Sequence, residues 1–373
     1  MHINEYLKKM IGQKASDMYL KVGSPPVLRV DGRLTYMTQD DNVEVIPRLS
    51  PAETSELAYS IMDESQKRKF EEQWGIDLAY SAAGLGRFRS NIFRQRNSIA
   101  LVFRMIPFEI PSFDELYLPE VVRDLASIPR GLIVVTGATG SGKSTTLAAM
   151  LDHINSTRRS HVVTVEDPIE FLHRDRESVI EQREVEMDTH SFADALKHVV
   201  RQNPDVIMIG EMRDIESLSA CLSAAETGHL VMTTMHTIDA PQTIERIINF
   251  FPPYQHNQIR MQLSLVLKGV ISQRLLPRSD GTGRVPAAEI LTVTPLVRKL
   301  IEEGKTLQIA AAVTGGKFYG MQSFNQSLVH LYQNGLVTFE DALDASSNPE
   351  EFRLNIRGIY AGGTEAFEFK QEE

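Results

Sequence analysis

The chain has a single cysteine and a single tryptophan in 373 residues. A lone thiol, Cys221, excludes an internal disulfide and any cysteine-built structural zinc site, and on its helical stretch it reads as a small buried apolar residue. No apolar run approaches the roughly 20 residues that a membrane-spanning helix needs. The opening residues, MHINEYLKKMIGQKASDMYL, lack a signal-peptide layout and read as a short amphipathic helix entering a strand. The expectation is a cytosolic protein, free to dock on a membrane complex. Positive charge is also in deficit: 39 Lys and Arg against 49 Asp and Glu leave a formal charge of −10. That balance argues against a large nucleic-acid footprint, which needs clustered cations. Internal repeats and low-complexity tracts are missing as well.

What is present is ordinary globular composition, 42% hydrophobic and 24% charged, in a chain longer than one core usually supports. Two domains are expected. Residues 1–106 mix short helices with alternating strands. Val27 to Val30 and Arg33 to Tyr36 flank Asp31-Gly32, a two-residue hairpin signal. A helical stretch from Pro51 to Glu72 opens on Ser50-Pro51-Ala52-Glu53, a capping box with proline at the first helical position. Strands follow near 77–81, 86–94 and 98–105, so a small antiparallel sheet with helices on one face is predicted. Pro107, Pro111 and Pro119 mark a linker over 107–118. From Arg130 the pattern changes to short apolar runs, 132–136, 162–165, 206–209 and 230–234, with helical segments between them. That alternation predicts a parallel sheet covered by helices, an α/β domain over 119–285. The remainder, 286–373, reads as mainly helical.

The segment GATGSGKST, from Gly137 through Ala138, Thr139, Gly140, Ser141, Gly142, Lys143 and Ser144 to Thr145, satisfies G-x-x-x-x-G-K-[ST]. Chance gives such a match in roughly one chain per hundred of this length. Here it follows an apolar strand and opens a helix, the context the motif requires. Glycines let consecutive backbone N–H groups turn inward on phosphate oxygens, and the helix N-terminus adds a favourable dipole. Lys143 would reach the β- and γ-phosphates, and the Ser144 hydroxyl would hold Mg²⁺. The segment therefore predicts binding of a nucleoside triphosphate, ATP with Mg²⁺, and its hydrolysis.

About seventy residues on, Asp205-Val206-Ile207-Met208-Ile209-Gly210-Glu211 is an apolar strand ending in a carboxylate. At the carboxyl end of a parallel strand, Glu211 faces the ligand crevice and suits the orientation or deprotonation of an attacking water. Glu166-Asp167-Pro168-Ile169-Glu170 ends the intervening strand; its carboxylates suit a water-mediated Mg²⁺ contact or a cap of the following turn. Asp214 precedes a helix and reads as its cap. His236, at the end of the fourth strand, is placed for a γ-phosphate sensor. His229 lies at the opposite end, where packing or an interface fits its position equally well. A basic strip, Arg87, Arg89, Arg94, Arg96 and Arg104, runs along the last strands of the first domain. A solvated sheet face accounts for Arg94 and Arg96; others could reach the triphosphate of a neighbouring subunit as arginine fingers.

In order, the arginine strands, GATGSGKST, VEDPIEF, DVIMIGEMRD and AAETGHLVMTTMHT resemble the secretion ATPase superfamily, with its Walker A, Asp box, Walker B and His box. Within it the chain resembles the type IV pilus retraction ATPases, the PilT/PilU group, from about residue 3 to residue 360. The resemblance implies a PAS-like N-terminal α+β domain followed by a RecA-like P-loop ATPase domain with a helical C-terminal extension. It also implies a homo-hexameric ring at the cytoplasmic face of the inner membrane, nucleotide held between the two domains, and a pilus platform protein as partner. Nucleic acid is not expected as a partner. On the family's pattern Arg89 and Arg104 are arginine fingers, Glu211 the catalytic glutamate, Glu166 the Asp-box glutamate, and His229 and His236 the His box. One helix departs: an AIRNLIRE-like segment is replaced by Leu296 to Glu303, with Lys299 and Glu302 at changed positions. The function implied is a motor subunit that couples MgATP hydrolysis to retraction of type IV pili; the changed helix weakens retraction by this chain alone, and INFFPP, VISQRLLPR and GMQSFNQSL lean toward the alternative, an accessory, PilU-like member acting beside a paralogous retraction ATPase.

Overall fold

Ile3, Tyr6, Leu7 and Met10 recur at helical spacing, and all four are buried on one face of α1 (Ile3–Gly12). In a computed structural model, residues 1–30, 32–39, 44–107 and 109–358 are described. The chain divides into two compact units, 1–108 and 109–373.

In the first unit α1 is followed by β1 (Asp17–Lys21), β2 (Val27–Val30), β3 (Arg33–Tyr36), α2 (Pro51–Ser60), α3 (Glu64–Gln73), β4 (Gly75–Ala82), β5 (Gly86–Gln95) and β6 (Ser98–Met105). The strands form one antiparallel sheet in the order β3-β2-β1-β6-β5-β4. Alternation along β5 sends Phe88 and Ile92 into a core shared with all three helices, while Arg89 stays outside. The β2–β3 connection is the expected two-residue one, with Gly32 at φ +78°, although Asp31 lies outside the described residues.

The single helical stretch expected over 51–72 is two helices. Ser50 and Glu53 make the anticipated capping box. Ten residues later Asp63 accepts from Ser65 and Gln66 backbone N–H groups while Gln66 returns the bond to Asp63 N, so a second box starts a new helix.

The second unit runs α4 (Glu120–Ser127), β7 (Gly131–Thr136), α5 (Lys143–Thr157), β8 (His161–Glu166), β9 (Val179–Glu184), α6 (Phe192–Val199), β10 (Val206–Ile209), α7 (Ile215–Glu226), β11 (Leu230–Met235), α8 (Ala240–Asn249), α9 (His256–Val266), β12 (Leu267–Pro277), β13 (Arg284–Thr292), α10 (Pro295–Glu302), α11 (Ile309–Gly315), α12 (Phe324–Gln333), α13 (Phe339–Ala345) and α14 (Pro349–Ile356). Its sheet is ordered β13-β12-β7-β11-β10-β8-β9, parallel except for β13. Every residue of β7 and β11 is buried. Leu132 and Val134 enter one hydrophobic cluster while Ile133 and Val135 enter another, so both sheet faces are covered. Each such side chain contributes about 1.5–3 kcal/mol by leaving water. Cys221 is fully buried in α7, its thiol pushed up to about 12 by desolvation.

Three strands escape the periodicity. β9 turns charged and polar after Val179 and Ile180, β12 has its apolar run broken by Ser272, Gln273 and Arg274, and β13 extends the sheet beyond 285, where helix was expected. The helical tail begins instead at α10, and α12–α14 bury Phe324, Leu328 and Phe352 with Leu276, Val285 and Ala287 of β12 and β13. No helix of the described residues is long and apolar enough to cross a membrane.

Candidate active site

Parallel pairing brings the carboxyl ends of β7, β8, β10 and β11 to one edge. Ile209 pairs with Val165 and with Thr233, and Met235 pairs with Thr136, so Glu166, Glu211 and His236 emerge level with the loop that follows β7. That loop, Gly137 to Gly142, turns into α5 at Lys143. Gly137 adopts φ +142°, and a Cβ there would fall 2.4 Å from the Gln273 carbonyl oxygen of β12. Gly142 adopts φ +91°, a left-handed conformation that glycine takes without strain. Ala138, Thr139 and Gly140 are exposed, whereas Ser141 is buried with a hydroxyl oxygen that has no hydrogen-bond partner.

A cavity of about 460 Å³ opens along this edge. Its walls include Thr139, Gly140, Gly142, Lys143, Ser144 and Thr145 on one side and Glu166, Asp167, Glu170, Glu211, Arg213 and His236 on the other. Lys143 Nζ donates to the carbonyls of Gly137 and Ala138, each at 2.9 Å. Burial lowers its pKa, opposed by the charges of Glu211 and Glu170. Glu211 Oε1 is 3.1 Å from His236 Nε2, and its Oε2 accepts from Arg213 Nε at 2.9 Å. Glu166 is buried; Thr164 Oγ1 donates to it at 2.7 Å and Gln182 Nε2 at 3.1 Å. Desolvation outweighs these bonds and raises its pKa to about 7. Deeper in the same cavity His173 is desolvated, its pKa lowered to about 4.

β12 is stitched to this edge by Ser272 and Gln273, and the next residue, Arg274, reaches the C-terminal segment. Ser272 Oγ accepts from Thr136 Oγ1 at 2.9 Å, and Gln273 exchanges hydrogen bonds with Thr146 Oγ1 at 2.9 and 3.1 Å. Arg274 donates to Ala345 O at 2.6 Å and Ser347 Oγ at 3.0 Å, its guanidinium 4.0 Å from the centre of the Phe324 ring.

Not every expected residue meets here. His229 sits before the start of β11, at the amino-terminal edge of the sheet, where its carbonyl accepts from Gly131 N. Its Nδ1 is 2.8 Å from Ala224 O and 3.1 Å from Thr227 Oγ1. A six-residue strand spans about 20 Å, so within one chain His229 lies too far to touch phosphates held by Lys143. Arg89 and Arg104 belong to the first unit, directly opposite one another on β5 and β6. With Asp17 and Arg29 they form one row across four strands. Arg104 Nε donates to Asp17 Oδ1 at 2.8 Å, Arg29 Nε lies 3.8 Å from Oδ2, and both Arg89 and Arg104 are exposed. The remaining arginines of the strip diverge: Arg94 lies over the Phe70 and Trp74 rings, and Arg96 is a turn residue at φ +46°.

Sequence reasoning passed over Arg213, Thr164, Gln182 and His173. Arg213 stands inside DVIMIGEMRD, two residues after Glu211, and Gln182 lies on β9, a strand that periodicity does not reveal. Leu275 and Arg284, which also line the cavity, arrive from β12 and β13 and leave no local signal.

These residues suit a magnesium nucleotide. The loop offers backbone N–H groups, a buried ammonium and a hydroxyl, faced by carboxylates across the cavity. Among the described residues no cluster of three or more His, Cys, Asp or Glu is placed to hold a metal ion by itself; Mg²⁺ bound to phosphates needs only one or two protein groups.

Comparison with known proteins agrees with the geometry. The family described as Type II/IV secretion system protein matches residues 117–285. The type IV pilus ATPase PilU of Pseudomonas aeruginosa is 42% identical over 96% of this chain and 92% of its own. The type IV pilus retraction ATPase PilT of the same organism is 43% identical over 94% of this chain and all of its own. The crystal structure of the pilus retraction motor PilT with bound ADP superposes with a TM-score of 0.85 at 47% identity, covering 94% of this chain and 98% of that one. The Legionella pneumophila ATPase DotB follows at a TM-score of 0.76 and 28% identity, covering 96% and 95%. With its cavity at the carboxyl edge of a parallel sheet and these relatives along nearly its whole length, the chain belongs to the type II/IV secretion system ATPase family, in the group of the pilus ATPases PilT and PilU.

Proposed function

We propose that this chain is one subunit of a homo-hexameric motor that couples MgATP hydrolysis to retraction of type IV pili. The observation that carries the reading is the convergence of the Lys143 loop and Glu211 on one cavity, in a chain that follows a retraction motor over 94% of its length. In this reading 1–106 is the PAS-like domain, 107–118 the linker, and 119–285 the RecA-like core with 286–373 as its C-terminal part. The motor works at the cytoplasmic face of the inner membrane, against a platform protein at the pilus base.

Lys143 and the N–H groups of residues 137–145 bind the β- and γ-phosphates, Lys143 exchanging two loop carbonyls for phosphate oxygens. Mg²⁺ would be held by Ser144 Oγ and, through water, by Glu166; when bound it neutralises charge on the phosphates. Glu211 orients the attacking water and accepts its proton. His236, with Nε2 3.1 Å from Glu211 Oε1, reports the presence of the γ-phosphate to that carboxylate. Arg89 and Arg104 supply positive charge from the first domain of a neighbouring subunit, where the transition state gathers negative charge. His229 serves the start of β11 and the ring contact beside it rather than the phosphates of its own subunit.

Steady-state ATPase assays test the site directly. Lys143→Ala should abolish turnover, and Glu211→Gln should keep MgATP binding while losing hydrolysis. Wild-type turnover by Glu211→Gln would sink the assigned mechanism. In cells, deletion of the gene should stop pilus retraction. Retraction that persists unless a paralogue is also removed would move the protein to the accessory role.

A further inference from the structure

Glu211 is restrained from two sides. Oε1 faces His236 at 3.1 Å, and Oε2 accepts from Nε of Arg213 at 2.9 Å, with Nη2 also 2.9 Å away. Arg213 follows Met212, which is buried and whose N–H is 3.3 Å from Thr234 O, so the arginine swings from a fixed point. Its side chain is 60% exposed. A second acceptor is already close: Nη1 lies 3.7 Å from Asp167 Oδ2, on the loop after β8. One planar fork thus lies between two carboxylates, in bond to one and within a side-chain rotation of the other. With the arginine exposed and the carboxylate only 19% exposed, the pair is still open to water on one side, so it can be made and broken in every cycle.

We propose that Arg213 is a switchable restraint on Glu211, holding the carboxylate while engaged with it and freeing it for water when the guanidinium transfers to Asp167. The inference rests on Glu211 being the base proposed above. An oxygen that accepts the Nε–H bond and lies against a second guanidinium nitrogen has a lone pair committed and its charge offset, so proton acceptance from water competes with Arg213. Arg213 acts through Glu211 and is a positioning residue; Asp167 is the second resting place that makes release possible. Neither residue forms or breaks a covalent bond.

The experiment is a double-mutant cycle on the full-length protein, with kcat, KM for MgATP, nucleotide affinity and melting temperature measured for each variant. Arg213→Gln should raise kcat about threefold with KM near wild type, the size expected when one exposed ion partner is removed. Asp167→Asn should lower kcat, because Arg213 then stays on Glu211. In Arg213→Gln/Asp167→Asn, the Asp167 substitution should have no further effect; a purely structural role would not produce that dependence. Arg213→Lys, which keeps the charge and loses the fork, should fall between wild type and Arg213→Gln. A lower kcat in Arg213→Gln, with affinity and melting temperature retained, overturns the restraint, as does an Asp167→Asn effect that persists without Arg213. Glu211→Gln measured alongside separates the two levels. If it turns over normally, the assignment of Glu211 fails and the restraint with it. If it is inactive while Arg213→Gln is slowed, Glu211 stands and the restraint alone fails.

Discussion

The two sheets of this chain solve opposite problems. In the first unit the antiparallel sheet has one buried face and one open face, and β3 is exposed along its whole length. In the second unit β7 and β11 are buried throughout, and only the strand ends meet solvent. Chemistry follows from that difference. A sheet covered on both faces can present polar groups only at its edge, so Glu166, Glu211 and His236 collect where β8, β10 and β11 stop. A sheet with one open face can carry charges along its strands, and Arg29, Asp17, Arg104 and Arg89 form a row there. The proposed motor site draws on both arrangements, an edge from one subunit and a face from another.

The largest expected effect breaks or sustains that division of labour. Arg104→Ala should lower kcat by about a thousandfold, the range of a lost arginine finger. Mixing Arg104→Ala with Lys143→Ala subunits should restore part of the activity, since each supplies what the other lacks. No rescue at any mixing ratio would argue that face and edge do not meet across a subunit boundary.

Next in size is the core of the first unit. Phe88 is fully buried on the closed side of β5. Phe88→Ala should reduce unfolding free energy by about 3–5 kcal/mol in chemical denaturation, whereas Arg89→Ala, one residue away on the open face, should leave it nearly unchanged. Equal losses would contradict the one-sided sheet.

A third test uses pH. Burial raises Glu289 on β13 from 4.5 to about 7, with Asp239 adding to the rise, and against the Ala240 N–H and Arg274, which lower it. The folded state therefore binds more protons than the unfolded state between those values, and stability contributed below pH 4.5 is lost as pH rises through 7. Glu289→Gln should flatten the stability profile across that window. An unchanged slope would remove Glu289 as its source. The smallest effect is local: Asp63→Ala should lower the first unit's stability by about 1 kcal/mol, the usual worth of a helix cap.

Much of this was legible because it is local. The phosphate loop is a contiguous string, and β7, β8, β10 and β11 are mostly apolar runs free of charged residues inside them, as suits strands covered on both faces. β12 was not legible for the converse reason. Ser272, Gln273 and Arg274 interrupt its apolar run, yet all three are satisfied by partners far away in sequence, Gln273 at 1% exposure through Thr146. Periodicity registers polarity but not whether a partner awaits. The break at Asp63 carried a readable signal, a second capping box, hidden inside continuous helical composition. Arg213 lay beside a recognised carboxylate; only its geometry shows that it touches it.

Those three residues of β12 have a mechanical meaning. At Gly137 the phosphate loop lies against the Gln273 carbonyl with no room for so much as a methyl group. Ser272 grips the strand that feeds the loop, Gln273 the helix that leaves it, and Arg274 the C-terminal segment at Ala345 and Ser347. A contact without slack transmits displacement instead of absorbing it. Through this one strand the phosphate loop, the elements on either side of it and the segment after α13 are joined as a single connected piece.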